Sequence, residues 1–160
     1  MRILTCSIAL TLLSCGYSFH GAPRRVRVEP IQEHGPDLDA AVEVSAAVRR
    51  AIARGPSTVL VERAADLTLE LTLAGATSVP SPFSDSSRRA AESTERIRIR
   101  ATLTSTSGRV VFQGDELLGE ADYVSPPGEI ATIEGARRTA LARAAERLAQ
   151  QLAAKIRQAR

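Results

Sequence analysis

The sequence predicts an α+β two-layer sandwich: a four-stranded, mainly antiparallel sheet with two helices on one face, in the order βαβββα. Three patterns carry that expectation. Leu67, Leu69, Leu71 and Leu73 alternate with Thr68, Glu70 and Thr72. Ile97, Ile99, Ala101 and Leu103 alternate with Arg96, Arg98, Arg100 and Thr102. Ile133, Ala140, Leu141, Ala144, Leu148, Leu152 and Ile156 recur at helical spacing. A period of two marks a strand with one buried face, and a period near 3.6 marks a helix with an apolar stripe. Neither apolar surface is stable in water, so each must cover the other.

Taken in order, residues 25–31, "RVRVEPI", place Val26 and Val28 on one face and Arg25, Arg27 and Glu29 on the other, and Pro30 ends the strand. Residues 38–54 follow as a helix, with Leu38, Ala41, Val42, Ser45, Val48 and Ile52 on its apolar side and Asp37 or Asp39 as N-cap. Gly55-Pro56 stops it, since glycine takes the left-handed cap and proline cannot continue the helix. The two alternating segments are the second and third strands. Residues 109–124 are a fourth with weaker alternation, where Gly114 and Gly119 suggest a bulge or a bend. Residues 105–108 between the last two strands are small and polar, as a hairpin turn requires. Residues 78–94 are rich in Ser and Pro and read as a long exposed loop. The last helix spans residues 133–160.

A chain of 160 residues is one domain by length and can bury a core without covalent staples. Its aromatic residues are Tyr17, Phe19, Phe83, Phe112 and Tyr123, so that core is built from Ala, Leu, Val and Ile. The formal net charge is +3, with basic and acidic residues interspersed. There is no basic block and no RNA-binding or zinc-finger signature, and no nucleic-acid partner is expected.

Both cysteines, Cys6 and Cys15, lie at the N-terminus. Arg2 precedes an apolar run over residues 3–13, which ends at the small Ser14. That is the layout of an export signal. At ~1.5 Å per residue the run spans about half of a ~30 Å hydrocarbon core, so it is too short for a permanent membrane helix. Leu12-Leu13-Ser14-Cys15 resembles a bacterial lipobox. The sulfur accepts the lipid, and the small residue before it suits the peptidase. The expectation is a signal peptide over residues 1–14 and a single periplasmic domain over 15–160, held to a membrane through acylated Cys15. Gly16 stands where Asp would signal inner-membrane retention, which points to the outer membrane.

No catalytic residues, cofactor or metal site are expected. His20 and His34 stand apart, no His/Asp/Glu cluster has ligand spacing, and neither Gly-x-Ser-x-Gly nor a phosphate-cradling glycine loop occurs. Asp115, Glu116, Glu120 and Asp122 are close in sequence and read as a solvated face. Arg96, Arg98 and Arg100 point the same way along one strand, about 7 Å apart. Such a stripe can grip phosphates or carboxylates, or it can pair with acidic neighbours such as Glu70 and keep an open sheet face wet.

The opening Cys15, Gly16, Tyr17, Phe19 and Gly21, followed by the basic strand of Arg24 to Val28, resembles the start of the LptE family. The segment with Tyr123, a Pro/Ser loop, Glu134 and Arg138, then an Ala/Leu helix with a basic tail, is similar to that family's end. These are lipopolysaccharide-assembly lipoproteins of the Gram-negative outer membrane. The resemblance implies a non-enzymatic plug and assembly partner of the β-barrel LptD, on the periplasmic side of the outer membrane, assisting lipopolysaccharide delivery to the outer leaflet. It makes Arg96, Arg98 and Arg100 candidate lipopolysaccharide contacts. The competing reading is another periplasmic lipoprotein, an adaptor of envelope synthesis or secretion with a similar small fold.

Overall fold

A computed structural model describes residues 22–33, 35, 37–80, 91–125 and 130–159. The export signal, Cys15 with the residues around it, His34 and the middle of the Ser/Pro segment lie outside the described residues. The elements run β1 (Arg24–Val28), β2 (Gln32–Glu33), α1 (Leu38–Ala53), β3 (Thr58–Leu60), β4 (Leu67–Pro80), β5 (Ala91–Ser105), β6 (Val110–Ser125) and α2 (Ile130–Gln158).

The class is α+β as expected, but the sheet has six strands and is mixed. Its order is β3-β1-β4-β5-β6, with β2 also pairing β4. Only β4, β5 and β6 are joined as antiparallel neighbours; β1 lies parallel to both β3 and β4, and β2 is parallel to β4. Two strands were missed because β2 and β3 are two and three residues long, too short to show a period. Parallel neighbours need a crossover, and α1 supplies it between β1 and β3. The Ser/Pro composition also misled: β4 runs to Pro80 and β5 begins at Ala91, with Ser78 opposite Glu95 and Pro80 opposite Ser93. The hairpin turn forms where predicted. Ser105 N–H donates to Arg109 O at 2.9 Å, and Gly108 sits at φ 80°, which glycine tolerates.

The core lies between one sheet face and the two helices. Val26, Val28, Leu67, Leu69, Leu71, Leu73, Ile97, Ile99, Ala101 and Leu103 point into it, matching the alternation in the sequence. In α2 the whole stripe from Ala140 to Ile156 is buried, with Ala145, Ala149 and Ala153 beside it. The apolar side of α1 is rotated from the expected one. Ala40, Ala41, Val44, Ala47, Val48 and Ile52 are buried, while Leu38 and Val42 are each 59% exposed. The buried side combines Ala40, Ala41 and Ala47 with Val44, Val48 and Ile52, and Leu38 and Val42 are left outside it.

Gly119 is not a bend. A Cβ there would meet the Ala144 carbonyl and the Leu148 side chain, so the missing side chain is what lets α2 approach β6. The register shifts lie elsewhere, at Leu73/Gly75 between β4 and β5, and at Ile99/Ala101 opposite Gly114 and Leu103/Thr104 between β5 and β6. Asp37 occupies the N-cap position of α1 but makes no capping bond. Its Oδ2 accepts instead from Ala76 N–H at 3.1 Å, tying the helix start to β4 just past the bulge. At the other end Thr58 Oγ1 donates to Ile52 O at 2.8 Å, so β3 satisfies a terminal helix carbonyl.

Among the described residues β6 is an edge strand, with one side free of a neighbouring strand. Arg143 donates to Asp122 O at 3.0 Å and Arg147 to Glu120 O at 2.8 Å. Two guanidinium groups from α2 thus occupy main-chain acceptors that an incoming strand would need. Among the described residues no helix is long and apolar enough to cross a membrane.

Between β1 and β4, Arg25 clasps Asp66: Nη2 to Oδ1 at 2.9 Å, backbone N–H to Oδ2 at 2.9 Å, with Asp66 N–H donating to Arg25 O at 2.8 Å. The side-chain and backbone hydrogen bonds from Arg25 hold the Asp66 carboxyl below its ordinary 3.8, outweighing the opposing effect of burial. A carboxyl depressed on folding stabilises fully above its ordinary value, and that stabilisation disappears as pH falls through the depressed one. Asp66→Asn is therefore expected to melt lower than the parent at pH 7, with the gap closing as pH falls below 3.8. Melting curves taken from pH 7 to 2 check this, and a gap that stays constant throughout contradicts it.

Candidate functional site

Alternation in β5 sends Arg96, Arg98 and Arg100 to the sheet face opposite α1 and α2, as the sequence predicts, and all three are exposed. Their partners come from β6. Arg96 Nε meets Glu120 Oε1 at 2.7 Å, Arg98 Nη1 meets Glu116 Oε1 at 3.4 Å, and Thr94 Oγ1 donates to Asp122 Oδ1 at 2.6 Å. Arg96 sits directly opposite Glu120 in the register, whereas Glu70 sits opposite Thr102. The expected pairing with Glu70 is absent for that reason. Among the described residues Arg100 has no ion-pair partner; it stands opposite Thr72 on β4 and beside the β6 register shift.

This face is a ladder of alternating charge rather than a positive patch. The two ion-paired arginines remain about half exposed, and such pairs stabilise by no more than ~1 kcal/mol each. A phosphate or carboxylate can therefore displace Glu116 or Glu120 at little cost. Arg100 needs no displacement at all.

A second polar cluster was not read from the sequence. Glu95 shares the inward parity of Ile97 and Ile99, and its side chain is 0% exposed. Parity alone would have revealed a carboxylate on the core face. Its Oε1 accepts from Arg137 Nε at 3.1 Å, and Oε2 has no hydrogen-bond partner among the described residues. Arg137 also approaches Glu134 at 3.7 Å, one turn earlier on α2. Burial disfavours the Arg137 charge, but the charge and hydrogen bond of Glu95, with Glu134 and Tyr123, outweigh it and raise the pKa above the ordinary value. Nearby, Tyr123 OH and Ser78 Oγ lie 2.9 Å apart.

Arg137 forms one wall of a cleft between the start of α1 and the N-terminal third of α2, with Asp37, Asp39, Glu134 and Arg138 around it. At about 260 Å³ the cleft is smaller than the ~300–1,000 Å³ usual for small-molecule sites. It is a notch where α1, α2, β4 and β5 are fastened together. Cys15 lies outside the described residues.

A family model described as LptE, lipopolysaccharide-assembly, matches residues 24–156. No curated protein matches the sequence. Among solved structures, a lipoprotein of Caulobacter crescentus is similar over 79% of this chain and 87% of its own, at 15% identity and a TM-score of 0.52. A protein of Chlamydia trachomatis is similar over 86% of this chain and 98% of its own, at 10% identity and a TM-score of 0.56. Lipoprotein B of Nitrosomonas europaea is similar over 85% of this chain and 86% of its own, at 15% identity and a TM-score of 0.51. At such identities the likeness is one of fold.

The Glu95–Arg137 pair makes a stability prediction. Removing one partner of a buried pair costs about 3–5 kcal/mol, and the half-exposed Arg137 side chain puts this case near ~3 kcal/mol. Arg137→Ala is expected to lose about that much in urea unfolding, and adding Glu95→Gln should recover part of it. An Arg137→Ala variant as stable as the parent would show that the pair fastens nothing.

Proposed function

This chain belongs to the LptE lipopolysaccharide-assembly family, and on that premise we propose that it is a lipid-anchored plug and assembly partner of the lipopolysaccharide-transport β-barrel, LptD. In this reading Cys15 carries the acyl chains, which hold the protein to the periplasmic side of the outer membrane. Each buried CH₂ contributes about 0.8 kcal/mol, so several acyl chains anchor far more firmly than one. The role is non-enzymatic. It asks for shape and surface, and the protein assists lipopolysaccharide delivery to the outer leaflet.

The observation that supports the plug most is the uncovered sheet face. A barrel lumen is polar, and a body held inside it needs a polar wall. β4, β5 and β6 present one, a ladder of Thr, Arg and Glu whose ion pairs are already formed on the domain itself. Lipopolysaccharide carries phosphates, and guanidinium groups bind these bidentately. Arg100 engages first because it has no acidic partner among the described residues, and Arg96 and Arg98 follow by exchanging Glu120 and Glu116.

Extraction in mild detergent is expected to recover this protein together with a β-barrel of much larger mass. Recovery as a free monomer, or with a peptidoglycan synthase, would sink the plug reading. Replacing Arg96, Arg98 and Arg100 together by Ser should weaken lipopolysaccharide binding about tenfold or more with the melting temperature little changed, since charged hydrogen bonds contribute about 1.5–3 kcal/mol each. Arg100→Ser alone should cost more than Arg96→Ser alone. Unchanged binding in the triple variant returns the stripe to a merely solvated face.

A further inference from the structure

α1 and α2 lie side by side and run the same way, so their C-terminal ends share one pole of the molecule. Arg50 and Arg54 at the end of α1 approach the same Glu146 carboxylate, at 3.6 and 3.8 Å. Two adjoining hollows open at this pole. One is bounded by Ala22, Arg24 and Pro56, the other by Arg54, Glu146 and Gln150, and Pro56 and Arg157 line both. Glu146 is the only acidic residue among the described residues that line them, and it is already shared by two arginines. Arg24 is committed to the fold through its bond to Ala159 O at 2.6 Å. Arg157 is exposed and has no ion pair among the described residues, and the Arg54 side chain is 73% exposed.

The described chain begins at this same pole, at Ala22, and Cys15 lies seven residues earlier in the sequence. Seven residues reach at most about 25 Å when fully extended. If Cys15 is the lipid anchor, the pole cannot move further than that from the headgroups of the anchoring leaflet. Basic residues held so near an anionic surface are attracted to it.

We propose that this pole docks on the anchoring membrane, with Arg157 and Arg54 seating the phosphates of anionic phospholipid headgroups in the two hollows. The inference rests on the lipid-anchor reading of Cys15. It is separate from the arginine stripe of β5, which lies on the uncovered sheet face. Basic residues near helix C-termini also offset the helix dipole, but that role needs neither exposure nor hollows.

The test uses the mature chain from residue 15 with Cys15→Ser, so that binding is read without an acyl chain. Co-sedimentation with phosphatidylcholine vesicles containing phosphatidylglycerol should be about tenfold or more stronger than with phosphatidylcholine alone, and should weaken as salt is raised. Arg54→Ser with Arg157→Ser should abolish the preference while the circular dichroism spectrum is unchanged, and the Arg96, Arg98 and Arg100 triple variant should keep it. Equal binding to both vesicles, or a preference that survives loss of Arg54 and Arg157, overturns the proposal. Displacement by millimolar inorganic phosphate overturns it too, because the hollows would then be sites for free phosphate. The mass of the native chain extracted from cells reads acylation of Cys15 independently, so failure of the anchor and failure of the docking pole are told apart.

Discussion

The seating of α2 on the sheet is the contact on which the rest depends. With few aromatic residues, the chain cannot fill space between its layers with large side chains, so the layers must come close. Gly119 removes a side chain where α2 crosses β6, and Ala140, Ala144, Ala145 and Ala149 keep the facing helix narrow. Close approach brings Leu148, Leu152 and Ile156 into contact with the sheet, and burying residues of that size stabilises by about 1.5–3 kcal/mol each. Once α2 is placed, α1 is fitted beside it through its own alanines.

Two unlike poles follow from that placement. Because the helices point the same way, their N-terminal ends meet over Glu95 and Arg137 and their C-terminal ends meet around Arg157. The first pole is a fastening, with one carboxylate held out of water against a guanidinium and Asp37 bonded to the backbone past the β4 bulge. The second is open and basic. Neither pole coincides with the ion-paired sheet face, so the domain carries three chemically different surfaces.

Long, regular elements were legible in the sequence because each buries one face, and burial imposes a period. The leucines of β4, the isoleucines of β5 and the α2 stripe all point where the alternation places them. What escaped was decided by the partner rather than by the residues themselves. β3 is three residues whose identity as a strand comes from lying beside β1. The ends of β4 and β5 have a loop's composition, but they pair with each other. The arginine stripe was read as able to pair with acidic neighbours such as Glu70, yet register gave Arg96 Glu120 on the other side, and register is not written within any one strand. Glu95 is the reverse case, a polar residue whose parity was visible and whose meaning appears only with Arg137 beside it.

The guanidinium caps on β6 bear on how the protein matures. They belong to α2, the last of the described elements, so the acceptors at Glu120 and Asp122 are covered only once that helix has docked on the sheet. Without α2 in place, β6 would present an unprotected edge with the exposed Leu118 and Val124 beside it. A chain cut short before Arg143 would therefore lack both guanidinium caps and keep that edge open.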